Sequence, residues 1–484
     1  MMTDQAIGIP GMTLPIENQY LRLPEPFYAP VAPAKVPTPR LLAWNEPLAA
    51  SLGLADFAPD DDDKARVFSG NLLPDGANSI ALAYAGHQFG HFVPQLGDGR
   101  AVLIGDLLND RGQRVDLQLK GAGRTPFSRG GDGKSSLGPV IREYILSEAM
   151  HHLGVPTTRA LAAVATGELV YRESALPGGI LTRVASSHLR IGTFEYFAAR
   201  GATDELAQLV SFAIHRHYPE VAAADDPVVA FFGEVVSAQA TLVANWMSLG
   251  FIHGVMNTDN MTISGETLDY GPCAFMDEFV SNKVFSSIDR FGRYAFDQQP
   301  VIAHWNLASL AACLQLVSDD RQALDAQLKT FDQQFNETYV ARMRLKLGLL
   351  TAREEDVEMI ASWMNYLQDN SLDFTVSFRA LGNQLAPGAD IRFGDFERAW
   401  RERIALEGAD PIAVQRQMQR VNPYIIPRNH LVEQTIDDAL NGDFEKFKTF
   451  NRAILEPYVE RAEYAPFAVP PTADQRVRET FCGT

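Results

Sequence analysis

The sequence predicts an α+β fold in two unequal parts, a small and mainly β lobe with one inserted helix, then a large helical lobe. Three observations carry that reading. Between about residues 80 and 185, short β-like runs alternate with glycine turns. One amphipathic helix interrupts them. From about 190 to 460 the apolar residues recur at helical spacing.

In chain order, residues 1 to about 40 are rich in proline (Pro24, Pro26, Pro30, Pro33, Pro37, Pro39), which disfavours helix and predicts an extended arm lying over a domain. From Leu41 a short helical segment with Trp44 and Leu48 is expected, running into an acidic break at Asp60 to Asp63. The β-like runs are Ala101 to Ile104, Arg114 to Lys120, Glu168 to Tyr171 and Gly179 to Arg183. The interrupting helix is expected from Pro139, a good first helical residue, to His152, with Ile141, Ile145 and Ala149 on one face and Gly154 as its stop. Val228 to Leu249 and Gln322 to Leu349 are two of the later helical segments. The expected organisation is an N-terminal extension over 1–80 packing on the core, a small lobe over 81–187, and a helical lobe with a C-terminal tail over 188–484.

Composition narrows the function classes. The 484 residues are 46% hydrophobic and 21% charged, as in ordinary globular proteins. A net charge of -18 and a pI near 5.0 oppose a polyanionic backbone, so nucleic acid is not an expected partner. A nucleotide is not excluded, because a few local cations and a metal ion outweigh a screened distant charge. The three cysteines, Cys273, Cys313 and Cys482, form no CxxC pair, no leader pattern opens the chain, and no run reaches the roughly 18 to 20 apolar residues of a bilayer span. A cytoplasmic protein without membrane partners is expected.

Two familiar glycine motifs fail. Gly133-Lys134-Ser135 resembles the end of a Walker A loop, but the leading glycine is replaced by Ser128. Gly121-Ala122-Gly123 lacks the third glycine of a dinucleotide fingerprint, since position 126 is proline. Gly97-Asp98-Gly99-Arg100 places glycines at a turn into a strand, where backbone N–H groups approach phosphate without an intervening Cβ; alone it reads equally as a hairpin turn. Lys120 ends an alternating strand and Glu143 lies one turn into the following helix, the arrangement by which protein kinases hold nucleotide phosphates. His87 and His91 lack a third ligand and the helix a metal pair would need, and His215 and His217 have no acidic partner nearby in sequence.

The segment His253-Gly254-Val255-Met256-Asn257-Thr258-Asp259-Asn260, a short strand expected over Met261 to Ile263, and Leu268-Asp269-Tyr270-Gly271 fall in register with a kinase catalytic and metal loop. The departure is Val255, which stands where the catalytic Asp belongs and cannot accept a proton. Asn260 and Asp269 retain oxygens suited to Mg²⁺. The fold expected from these motifs is a protein-kinase-like bilobal one.

With Ala85-Gly-His-Gln-Phe-Gly90, Lys120-Gly-Ala-Gly-Arg124-Thr-Pro-Phe-Ser128-Arg-Gly-Gly-Asp132-Gly133, Leu181-Thr-Arg183-Val-Ala-Ser-Ser-His188-Leu-Arg190, Asn422-Pro and Arg428-Asn429, the whole chain resembles the selenoprotein O family of pseudokinases (the YdiU type). The resemblance implies a kinase fold that binds ATP in reversed orientation, with Mg²⁺ or Mn²⁺, and transfers AMP to hydroxyl side chains of protein substrates; UMP transfer is also associated with the family. It implies that Lys120 holds phosphates and pairs with Glu143, and that Gly97, Gly99 and Arg100 form the phosphate-facing turn. Asp132, Gly133, Arg183 and Arg190 would complete the nucleotide pocket, with Asp259 as base and Asn260 and Asp269 on the metal. A conventional phosphotransferase and a silent nucleotide-binding scaffold are the competing readings. In selenium-containing relatives a selenocysteine stands near the end of the tail, where this chain has Cys482; a redox pair with Cys273 is expected, against two thiols that do not meet.

Overall fold

The computed structural model describes residues 14, 16–55, 57 and 60–481. Its centre is an eight-stranded antiparallel sheet. The strands are β1 (Tyr28–Pro30), β2 (Arg40–Trp44), β3 (Ile80–Leu82), β6 (Ala101–Leu108), β7 (Arg114–Lys120), β8 (Ser135–Ser136), β9 (Arg159–Tyr171) and β10 (Ala175–Ala185), while β4 (Gly86–Gln88) and β5 (His91–Val93) form a separate hairpin. The order is β1-β3-β6-β7-β10-β9-β2, with β8 beside β10. The proline-rich segment read as an arm supplies the edge strand β1, where the missing N–H of Pro30 costs least, and leads into the other edge strand, β2.

Both sheet faces are covered, so the strands carry nearly continuous apolar runs. Ile180 packs with Leu117, Leu161 and Phe68 on one face, and its neighbour Leu181 packs on the other with Ile141 and Ile145 of α3 (Leu137–His152). Two expectations about the first 80 residues need correction. Leu41 to Trp44 is strand, and the helix α1 (Glu46–Ser51) begins only after Asn45, whose side chain accepts from Leu48 N–H at 3.2 Å. Asp60 to Asp63 is no break but the start of α2 (Asp61–Phe68): Asp60 caps it by accepting from Asp63 N–H at 2.9 Å, and three carboxylates face the positive end of the helix dipole.

Beyond the sheet the chain is helical, as expected, with Gln322 to Leu349 divided into Arg321–Lys329 and Phe331–Lys346. The chain is therefore an α+β protein with a β lobe and a larger helical lobe. Met261 to Ile263 makes only isolated bridges, to Thr267 and Arg190, and no strand. The helix Pro227–Ser248 corrects the sequence expectation on apolar runs: its 22 residues contain an 18-residue window of mean hydropathy 1.5, long and apolar enough to span a bilayer. Here 56% of that window is buried within the protein, where Phe231, Val235, Val243 and Trp246 belong to the main core.

The last helices return to the small lobe. Asn429–Leu440 and Glu445–Ile454 pack on α3 through Val432, Phe447 and Phe450, and Arg142 of α3 is ion-paired with Glu433. The tail then runs back over the helical lobe. Thr480 N–H donates to Phe285 C=O at 2.8 Å, and the Thr480 hydroxyl donates to Pro272 C=O.

Candidate active site

A cleft of about 670 Å³ opens between the sheet and the helical lobe. Lys120 comes from the end of β7 and Glu143 from α3; they meet at 2.6 Å. Asp269, from the loop of the helical lobe, accepts from Lys120 at 3.0 Å, and Arg183 of β10 bridges Glu143 and Asp269. Arg190 closes the group at 3.4 Å from Asp269 and 3.8 Å from Asp98.

Lys120, Glu143, Arg183 and Arg190 are buried and Asp269 is half-buried at the cleft floor, so their titration depends on one another. Burial works to raise Asp269, but Arg183, Lys120 and Arg190 outweigh it and hold the carboxyl well below the usual range. Burial likewise opposes ionisation of Glu143, and Arg183 with Lys120 reverses the sign. Lys120 is lowered, first by burial and then by the adjacent Arg183. Arg183 is raised: burial is overridden by Asp269 and Glu143. Arg183, expected among the phosphate-contacting residues, is thus engaged in two buried ion pairs and only 2% exposed.

The 253–260 loop is braced from below. His253 Nε2 lies 3.0 Å from Leu268 C=O, and Val255 N–H points to Nδ1 at 3.4 Å. The carbonyl can only accept, so the proton sits on Nε2 and the ring is neutral, in keeping with the burial that lowers its pKa. Asn260 donates Nδ2 to Val255 C=O at 3.0 Å. Among the described residues, Asn260 Oδ1 has no hydrogen-bond partner.

Asp259 is buried beside this group. Its Oδ2 accepts from Gln88 at 3.2 Å, while Oδ1 is buried and has no partner among the described residues. Burial raises its carboxyl to about 6, against the lowering pull of Arg190 and Gln88. Gly86 makes the position possible, since a Cβ there would stand 2.4 Å from Asp259 Oδ1.

Gly97, at φ +70°, and Gly99 are gripped by the 125–128 turn: Thr125 donates to Asp98 C=O at 2.6 Å and Ser128 to Gly99 C=O. The turn and the loop that carries Asp132 and Gly133 are therefore one unit. Asp132 binds Arg172 through both oxygens, at 2.9 and 3.0 Å, an anchor that sequence reading missed. Arg100 and Arg129 line the cleft, and among the described residues neither has an acidic partner. Arg129 was also missed, although it lies inside the quoted 120–133 string. Three of the four non-glycine residues with positive φ among the described residues, Phe89, Arg129 and Asp269, line this cleft. Such strain concentrates where surrounding structure holds it for a purpose.

The side-chain oxygens of Asn260 and Asp269 fit a hard divalent cation. Among the described residues no cluster of three or more His, Cys, Asp or Glu could hold a metal alone. A Mg²⁺-type ion does not require one, since it takes one or two protein oxygens and completes its shell with phosphate and water. Cys273 is buried next to Pro272; Cys482 lies outside the described residues. His87 is bonded to Glu195 at 2.6 Å, which accounts for it without a metal.

The family model described as protein adenylyltransferase SelO matches residues 10–455. The chain is 50% identical over 487 aligned residues to the protein nucleotidyltransferase YdiU of Nitrobacter winogradskyi, covering 97% of this chain and 96% of that one. The like-named protein of Rhodopseudomonas palustris is 50% identical over 97% of this chain and 99% of its own length. That of Rhizobium etli is 49% identical over 98% of both.

Proposed function

The chain belongs to the SelO family of protein adenylyltransferases, and from that premise we propose that it transfers AMP from ATP to Ser, Thr or Tyr hydroxyls of proteins, with UMP from UTP as the related transfer. The observation that carries this reading is the buried, half-partnered carboxylate of Asp259 in a cleft whose usual catalytic position is Val255.

The acceptor oxygen attacks the α-phosphorus as its proton passes to the Asp259 carboxylate. The bond from the α-phosphorus to the bridging oxygen breaks, and pyrophosphate leaves. Burial supports the role, because a base of pKa about 6 is ionised at neutral pH yet basic enough to take a proton in the transition state. The Lys120–Glu143–Arg183–Asp269 group supplies fixed charge in a dry setting, where little reorganisation is needed as negative charge develops.

The divalent ion, Mg²⁺ or Mn²⁺, would be held by Asn260 and Asp269 and would neutralise phosphate charge. Arg100 and Arg129, the cleft arginines without acidic partners among the described residues, suit the phosphates of a reversed nucleotide, with the 97–99 and 130–133 backbones beside them. Arg183 and Arg190 act from beneath by fixing Asp269 and the 259–260 backbone, to which Arg190 donates at 2.9 Å.

A conventional phosphotransferase would need an acceptor at Val255, and a silent scaffold would not need the intact charge group. Incubation with α-labelled and, separately, γ-labelled ATP plus Mg²⁺ tests the proposal. Label from the α position alone is expected on protein, and Asp269→Ala should abolish it. Transfer of the γ label, or no transfer with nucleotide bound, would refute it.

A further inference from the structure

We propose that the groove beside the cleft, built on Phe89, Ile288, Phe291 and Val301, receives a bulky apolar side chain flanking the acceptor hydroxyl of the protein substrate. The inference rests on the reading of the cleft as a protein nucleotidyltransferase centre and concerns what selects its substrates.

The groove has a volume of about 770 Å³ and shares Phe89 and Ile288 with the nucleotide cleft. An extended chain that places a hydroxyl in the cleft therefore runs directly onto it. Its apolar residues are open to solvent: Phe291 is 99% exposed, Val301 59% and Ile288 55%. A single exposed apolar residue is ordinary, but three of them together at the mouth of a cleft mark a recognition surface. Asp289, the acid between Ile288 and Phe291, is buried and accepts from the backbone N–H groups of Arg293 and Tyr294 at 2.9 and 2.7 Å. That carboxylate is thereby consumed, and with Asp297, Arg290 and Arg293 also lining the groove its two acids and two arginines balance, so selectivity falls to the apolar residues.

Phe89 gives an independent indication. It occupies the first turn position of the β4–β5 hairpin, between the paired residues Gln88 and His91, at φ +52°, with Gly90 following at φ +81°. Two positive φ values make this the mirror-image turn that selects Asn, Asp or Gly at its first position; a bulky aromatic there is strained. The strain is held in place. Phe89 N–H donates to Asn257 Oδ1 at 3.2 Å and to the Tyr294 hydroxyl at 3.1 Å, and its ring lies 5.1 Å from that of Tyr294. Turn formation is better served by asparagine, so the aromatic ring itself is what the position uses, at the junction of cleft and groove.

The test uses the full chain, α-labelled ATP and serine peptides whose flanking positions carry Leu, Ala or Lys. Wild type should label the Leu peptides with a KM about tenfold below that for Ala, the effect of burying one aliphatic side chain. Phe291→Asp and Val301→Asp, both at exposed positions away from the nucleotide, should remove that preference while leaving ATP affinity and labelling of the Ala peptide unchanged. Phe291→Asp should also gain labelling of Lys peptides, a change of specificity that a merely structural residue would not produce. Equal KM values for Leu and Ala in wild type, or a preference that survives both variants, would overturn the groove alone. A dimer in sedimentation that Phe291→Asp dissolves would overturn it too, by assigning the face to a second copy. Absence of α label on every peptide would overturn the proposed function and the groove with it.

Discussion

Removing Asp269 should cost far more stability than removing Lys120, although the two touch each other. The buried group holds three cations, Lys120, Arg183 and Arg190, against the carboxylates of Glu143 and Asp269, with Asp98 at its edge. Asp269→Asn leaves all three cations facing Glu143, and stripping a buried charge of its partner costs roughly 3–5 kcal/mol. Lys120→Met leaves two cations against two carboxylates, each still paired through Arg183, so its cost should be about 1 kcal/mol or less. For 484 residues the unfolding entropy is about 1 kcal/mol/K, from roughly 2 cal/mol/K per residue, so Asp269→Asn should lower Tm by about 3–5 °C and Lys120→Met by about 1 °C. Because the folded pKa of Asp269 is depressed, this stabilisation is present above the unfolded value near 4 and is lost only as pH falls below it. Calorimetry of both variants at pH 7 and about pH 3.5 is the measurement. ATP should also stabilise Asp269→Asn more than wild type in metal-free buffer, since the surplus cations then meet phosphate. A Lys120→Met protein less stable than Asp269→Asn would refute the charge balance.

Two further outcomes follow from single side chains. AMP transfer should rise with pH to half its plateau near the Asp259 value of about 6, falling roughly tenfold per unit below it, while Asp259→Asn should be inactive but more stable at pH 8 by ~2–3 kcal/mol. The sign follows from the raised folded pKa: the stabilising contribution is present at low pH and lost as pH rises through 6, so a profile without an acid limb or an Asn variant no more stable at pH 8 would contradict it. Gly97→Ala should lose more stability than Gly112→Ala: both have φ near +70°, costing roughly 1–2 kcal/mol each, but only at Gly97 would the new Cβ meet an aromatic ring, 2.3 Å from Phe127 Cγ. Equal Tm losses would mean that the ring yields freely.

Local periodicity and turn chemistry made much of this legible. The alternation ending at Lys120 and the helix carrying Glu143 were readable in sequence, and the structure joins them at 2.6 Å. That Asn260 and Asp269 share one cleft, with His253 beneath the loop, was suggested by a spacing written in nearly consecutive residues. Pairings made at long range were hidden. Arg40 opposite Ala165, and Arg142 against Glu433, join residues separated by more than 100 positions and leave no periodic trace. The misread aspartates at 60 to 63 show the same limit locally: an acidic run reads as a break until the helix it starts is known. Arg129 and Arg172 were overlooked because a surface arginine and a cleft arginine look alike in a string of letters.

The enclosure of α3 has a consequence for control. Thirteen of its sixteen residues are buried, between the sheet on one side and the returning C-terminal helices on the other, with Tyr144 against Phe447 and Arg142 tied to Glu433. In kinases that are switched by swinging this helix outward, the lysine–glutamate pair is made and broken. Here the chain's own end occupies the space such a swing requires. The Lys120–Glu143 pair is thus clamped by the chain itself, and a swing of α3 would first have to displace the helices that carry Glu433 and Phe447.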